Sequence, residues 1–153
     1  MEINKIRIDG RITTIDYTTE SGDYRIKTGE DPSPDLYNAI KGLRGIFLKR
    51  MQFEPVKERV MVNGFESGVD NVRRWYKISG IYTANMIGHK ITTPKVMEMN
   101  DPEFWENNDP DEFIQYLDQE ESEYMEKAVD EAILFVQGKR EQLPLEDTEG
   151  GAF

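Results

Sequence analysis

Apolar side chains fall on every second residue at the start of the chain and at helical spacing further along. Ile6 and Ile8 alternate with polar neighbours and lead into Asp9-Gly10, a dipeptide suited to the positive φ angles of a tight hairpin turn. The return strand, Arg11 to Thr19, carries Ile12, Ile15 and Tyr17. Its step from 12 to 15 breaks the period of two and predicts a bulge near Thr13-Thr14. Ser21-Gly22 then turns the chain into a third strand with Tyr24 and Ile26, so a three-stranded meander opens the fold.

Ser33-Pro34 has the form of an N-cap followed by a first helical position, where proline's missing N–H is not needed. Leu36, Ile40, Leu43 and Phe47 recur at helical spacing, with Asp35 in the first turn and Lys49 and Arg50 in the last to suit the helix dipole. Gly42 and Gly45 each weaken such a helix by about 1 kcal/mol relative to alanine. Their presence would fit close packing on a sheet. Val60 and Val62 predict a short strand ending at Asn63-Gly64, and Glu66 to Asn71 a polar loop. A longer strand is expected over Val72 to Thr83. Tyr76, Ile78, Gly80 and Tyr82 share one of its faces, and Trp75, Lys77, Ser79 and Ile81 share the other. Ile87 and Ile91 extend the sheet towards Thr93-Pro94, where proline disfavours helix.

From Asp101 the composition changes. Asp101-Pro102 and Asp109-Pro110 resemble helix starts, and Asp109 with Glu112 has capping-box spacing. The expected helix runs to Gln137, with Gly138 as terminator. Phe113, Leu117, Tyr124, Ala128 and Phe135 form its apolar stripe, which Tyr116, Met125, Val129 and Ala132 broaden. That width serves packing in cis or a homo-oligomer equally. The run Asp118, Glu120, Glu121, Glu123 fits a solvated helix face. Gln142 to Phe153 has no periodicity and is expected to be a flexible tail.

Charge sharpens this division. The chain has 153 residues and a formal net charge of −11. Residues 98–153 hold 18 Asp+Glu against 3 Lys+Arg, whereas residues 1–97 hold 12 against 16. An acidic arm is therefore joined to a mildly basic body. The organisation expected is a single domain over 1–141 (basic body 1–97, acidic helical arm 98–141) and an acidic tail over 142–153. The fold class expected is α+β: an antiparallel sheet of about five or six strands, one packed helix and a long acidic C-terminal helix.

Cysteine is absent and His89 is the only histidine, which removes thiol catalysis, disulfides, multi-histidine metal sites and zinc fingers together. Neither phosphate-binding glycine loops nor a nucleophile elbow occurs. Asp9, Asp16, Asp23, Glu58 and Glu66 carry no spacing that marks a metal pair. No enzyme activity, metal or cofactor is expected. No run approaches a membrane span, and the N-terminus lacks a signal-peptide pattern, so a cytoplasmic protein is expected.

The strongest candidate chemistry is Arg73-Arg74-Trp75-Tyr76-Lys77. Single-strand binders combine cations that track phosphates with aromatic rings on which bases stack. Arg73, Trp75 and Lys77 would project from one strand face and Arg74 and Tyr76 from the other. Trp75 equally suits a core aromatic flanked by snorkelling cations. Arg44, Lys49 and Arg50, with Lys41, Lys57 and Arg59, would extend the patch if folding gathers them.

Two resemblances bear on this. The order of parts from Ile3 to about Pro94 is similar to that of small uncharacterised proteins of bacteriophages and prophages. It is carried by Pro32-Ser33-Pro34-Asp35-Leu36-Tyr37-Asn38-Ala39-Ile40, Val60-Met61-Val62-Asn63-Gly64-Phe65, Ile78-Ser79-Gly80-Ile81-Tyr82-Thr83-Ala84 and Thr92-Thr93-Pro94. It implies a mobile-element origin, hence a host cytoplasm, and no activity. The tail, with Glu146, Asp147, Glu149 and terminal Phe153, resembles the C-terminal tips of single-stranded-DNA-binding proteins. Such tips imply docking into a basic pocket of a protein partner. The resulting expectation is a nucleic-acid accessory protein that binds single strands and recruits partners through its acidic arm. The alternative is a protein-binding module whose acidic helix imitates DNA and inhibits a host nucleic-acid-binding protein.

Overall fold

The computed structural model describes residues 1–70, 72–98 and 115–140. Among these residues, eight strands form one sheet: β1 (Glu2–Asp9), β2 (Ile12–Thr19), β3 (Gly22–Thr28), β4 (Val60–Asp70), β5 (Arg73–Ala84), β6 (Ile87–Thr92), β7 (Val96–Met97) and β8 (Gln115–Tyr116). Their order is β3-β2-β1-β4-β5-β7-β8, with β6 also paired to β5. All pairings are antiparallel except β7 with β8. Helices α1 (Pro34–Lys41), α2 (Arg44–Met51) and α3 (Gln119–Val136) pack on one face. The fold is α+β as expected, with more strands.

One register line explains the layering. Ile26, Ile15, Ile6, Phe65 and Ile78 are successive cross-strand partners over five strands. Ile6, Ile15, Phe65 and Ile78 are fully buried beneath the helices. Alternation sends the adjacent line, Arg25, Asp16, Lys5, Glu66 and Lys77, to the other face. Ile12 does not need the bulge expected near Thr13-Thr14. It is 39% exposed, and fully buried Thr13 takes the inward position instead. The irregularity lies in β1, between Ile3 and Lys5.

Strand β4 corrects a second expectation. It continues through Asn63-Gly64 and the presumed polar loop to Asp70, with a register shift between Val62 and Gly64. Gly64 is placed here by steric need. A Cβ on it would lie 1.8 Å from the Ile6 carbonyl oxygen. The single helix expected from Pro34 to Arg50 is two helices that break at Gly42-Leu43, with Ser33 capping α1 as expected.

Helix α3 is shorter than the arm expected. Gln115 and Tyr116 are strand, Leu117 is buried before the helix, and Asp118 is the N-cap in a capping box with Glu121. The Asp109/Glu112 helix start lies outside the described residues. Met125, Ala128, Ala132 and Phe135 join the common core, so the helix packs on its own sheet and on α1. Glu121 departs from the solvated-face expectation. It is 7% exposed and accepts a hydrogen bond from Arg50 Nη2, which also donates to the Tyr116 carbonyl. This buried pair ties α2 to the start of α3.

Three substitutions test this account by chemical denaturation. Gly64→Ala is expected to cost more than about 3 kcal/mol, because backbone rather than a side chain blocks the added carbon. Gly45→Ala, whose Cβ would meet nothing within 4 Å, should stabilise by about 0.5 kcal/mol. Glu121→Gln should cost about 3 kcal/mol by leaving Arg50 buried without its charge partner, and Arg50→Met with Glu121→Leu should recover most of that.

Candidate nucleic-acid interface

The helix-free face of the sheet carries the candidate site. Register and alternation place Lys5, Arg7, Asp16, Arg25, Lys27, Glu66, Trp75, Lys77 and Lys90 on it. Glu2 and Asp23 stand at its far rim, opposite Thr18. Near β3 the charges are largely paired. Arg25 Nε donates to Asp16 at 2.6 Å, while Glu66 lies 3.9 Å from Lys5 Nζ and 3.6 Å from Arg7 Nη2. The Arg25 hydrogen bond, reinforced by its charge and that of Lys5, holds the Asp16 carboxyl below the ordinary carboxylate value. Its share of stability is present above pH 3.8 and is lost as pH falls through the lowered folded value.

Towards β5 the cations have fewer carboxylate partners. Trp75 lies opposite Gly68 in the ladder, and its indole occupies the space a side chain there would take: a Cβ on Gly68 would be 2.5 Å from the ring. The Lys77 and Lys95 ammonium groups sit 5.7 Å and 4.8 Å from the ring centroid, and Lys95 also pairs with Asp70 at 2.8 Å. Trp75 is thus a half-buried surface ring held flat by a glycine hollow and bordered by cations. The glycine hollow and Lys77 follow from strand pairing, whereas Lys95 arrives from the segment between β6 and β7.

The residues singled out from the sequence do not gather in one place. Trp75 and Lys77 share the open face. Arg73 belongs there by register yet is only 6% exposed, so it is not displayed. Arg74 leaves the strand on the other side and is tied down, donating to Ser67 Oγ at 2.6 Å and, at the rim of the sheet, to Glu2 Oε1 at 3.3 Å. Arg44, Lys49 and Arg50 belong to α2 in the opposite layer and do not extend the patch. Arg44 donates to the Lys57 carbonyl, Lys49 pairs with Asp118 at 3.8 Å, and Arg50 holds Glu121. Lys41 lies over the Tyr37 ring on α1 and Lys57 pairs with Glu54. Glu146, Asp147, Glu149 and Phe153 lie outside the described residues.

Sequence reasoning passed over Lys5, Arg7, Arg25, Lys27, Lys90 and Lys95. The first four alternate with Ile6, Ile8 and Ile26, and that period would have marked their face. Lys95 joins only through its tertiary contact with Trp75. Among the described residues, no group of three or more His, Asp or Glu side chains could hold a metal ion, and no helix is long and apolar enough to cross a membrane.

Gly68→Ala should lift the indole from its hollow. In a Trp105→Phe background, the expected outcome is red-shifted tryptophan emission and a loss of about 1–2 kcal/mol in stability. Unchanged emission would mean that the ring does not depend on the glycine.

In comparisons with known proteins, no family model, no curated protein and no solved structure matches the chain.

Proposed function

We propose that this is a non-enzymatic nucleic-acid accessory protein of phage type that binds a single strand across the helix-free sheet face. One observation carries the reading: Trp75 lies half-exposed on that face with Lys77 and Lys95 at its ring. Such a platform suits base stacking, while the ammonium groups suit adjacent phosphates. Stacking on such a ring is also sequence-tolerant, since every base has a π-face.

The charge distribution supports it. Strands β5 and β6 and their turn contain no Asp or Glu, within a chain of net charge −11, and present Lys77 and Lys90 on the open face. The exposed acids Asp118, Glu120, Glu123, Glu126 and Asp130 belong to the α3 segment in the other layer. A polyanion approaching the sheet therefore meets the cationic side, and α3 is turned away from it. The same exposed acids favour a second reading, in which a basic protein partner docks on α3. On the leading reading that partner is recruited while the sheet holds DNA, in the host cytoplasm.

Fluorescence anisotropy with labelled single-stranded DNA across a salt series tests the proposal. The expected log–log slope is about −3, corresponding to roughly four phosphate contacts on a single strand. Trp75→Ala should weaken binding about tenfold. Asp16→Asn should tighten it at neutral pH by removing a carboxylate from the face, with a small loss of stability. Absence of salt-sensitive binding by the native protein would overturn the reading and leave the α3 partner as the alternative.

A further inference from the structure

The β5–β6 hairpin ends in a turn whose residues contradict its geometry. Ala84 pairs with Ile87, leaving Asn85 and Met86 as the two loop residues. Their φ angles are +53° and +64°, the pattern of a turn that strongly prefers Asn-Gly. Asn85 satisfies that preference and Met86 does not. An L side chain with a long apolar stem is held in the left-handed region where glycine is cheapest. Met86 is also 98% exposed, and Ile87 beside it is 60% exposed. Neither backbone geometry nor internal packing accounts for a methionine at this apex.

The surroundings indicate what it meets. An open groove of about 610 Å³ adjoins the apex, lined in part by Glu58, Arg59, Met61, Thr83, Asn85 and Met86. It sets the Arg59 cation beside the Glu58 carboxylate and adds apolar stems and hydrogen-bonding side chains. Lys90 shares the open sheet face with Lys77, so cations lead from Trp75 towards the apex along an arm without acids. From Trp75 to the turn is about 33 Å at roughly 3.3 Å per residue. That length suits the roughly 4–16-nucleotide sites of small sheet-based single-strand binders.

We propose that Met86, at the apex of the β5–β6 arm, is a second base-contacting point that packs its apolar side chain against bases of a single strand whose other contact is Trp75. The inference rests on the single-strand reading above and adds a contact that the Trp75 platform does not require. Insertion of apolar side chains beside bases is an established way for proteins to grip nucleic acids. The strained turn holds the side chain outward, and sulfur's polarisability suits stacking against varied rings.

The test compares labelled oligo-dT of about 3 and about 20 nucleotides, the shorter too short to reach from Trp75 to the apex and the longer able to span both contacts. Met86→Gly creates the preferred Asn-Gly turn, so it should fold and raise Tm by about 2–4 °C. It should weaken binding of the longer strand about tenfold and leave the shorter unchanged, whereas Met86→Leu should keep native affinity for both. Equal binding of the longer strand by native protein and Met86→Gly would overturn the proposal while leaving the Trp75 platform intact. Equal weakening for both lengths would overturn it as well, as would a change of oligomeric state without a change in DNA binding. If native protein binds neither strand, the single-strand reading itself fails, and this contact fails with it.

Discussion

Everything on both faces of this molecule depends on one apolar line across the sheet. Ile26, Ile15, Ile6, Phe65 and Ile78 are cross-strand partners on five consecutive strands, and the helices cover them. Because side chains alternate strictly along a strand, burying that line dictates what the reverse side displays. Arg25, Asp16, Lys5, Glu66 and Lys77 follow without further choice. A slip of one residue in any of these five strands would bury charge and expose isoleucine or phenylalanine, so the core protects the register of the charged face.

Close approach of backbone to backbone completes the constraint. At Gly64 the β1–β4 pair leaves no space for a side chain, and at Gly68 the missing side chain is the seat of an indole. Two glycines four residues apart on one strand thus do different work, one for the fold and one for the surface. On the covered side, the Arg50–Glu121 pair joins helices distant in sequence while Glu121 also closes the capping box of α3. The Arg50 Nη2 bond to the Tyr116 carbonyl and the Asp118 N–H bond to Glu121 offset part of its desolvation cost, while Arg50 Nε stays buried without a partner.

The meander, the Ser33-Pro34 helix start, the alternating faces of β5 and the Gly138 terminator were legible because each rests on near neighbours. Gly138 adopts φ +111°, and its N–H meets the Phe135 carbonyl, as a helix terminator requires. The errors were of another kind. Asn63-Gly64 has the composition of a turn, yet tertiary pairing with β1 draws it into a continuous strand. The Leu36 to Phe47 pattern suits one helix, but the chain breaks at Gly42 so that both segments reach the sheet. Tyr116, expected in the helix stripe, pairs with β7 instead, together with its neighbour Gln115.

For the candidate site the boundary lies in the same place. Composition and periodicity alone determined an α+β chain, an unbalanced charge, a lack of thiol and multi-histidine chemistry, and Trp75 beside Lys77 on one strand face. Only tertiary structure decided that the helical cations Arg44, Lys49 and Arg50 stand in the other layer, that Arg73 is buried, and that Lys95 meets the indole. Only it revealed Met86 at a strained, exposed apex. The physical reason is range. Backbone periodicity is written into neighbouring residues, whereas the meeting of distant surfaces depends on strand order and register, which many residues set together.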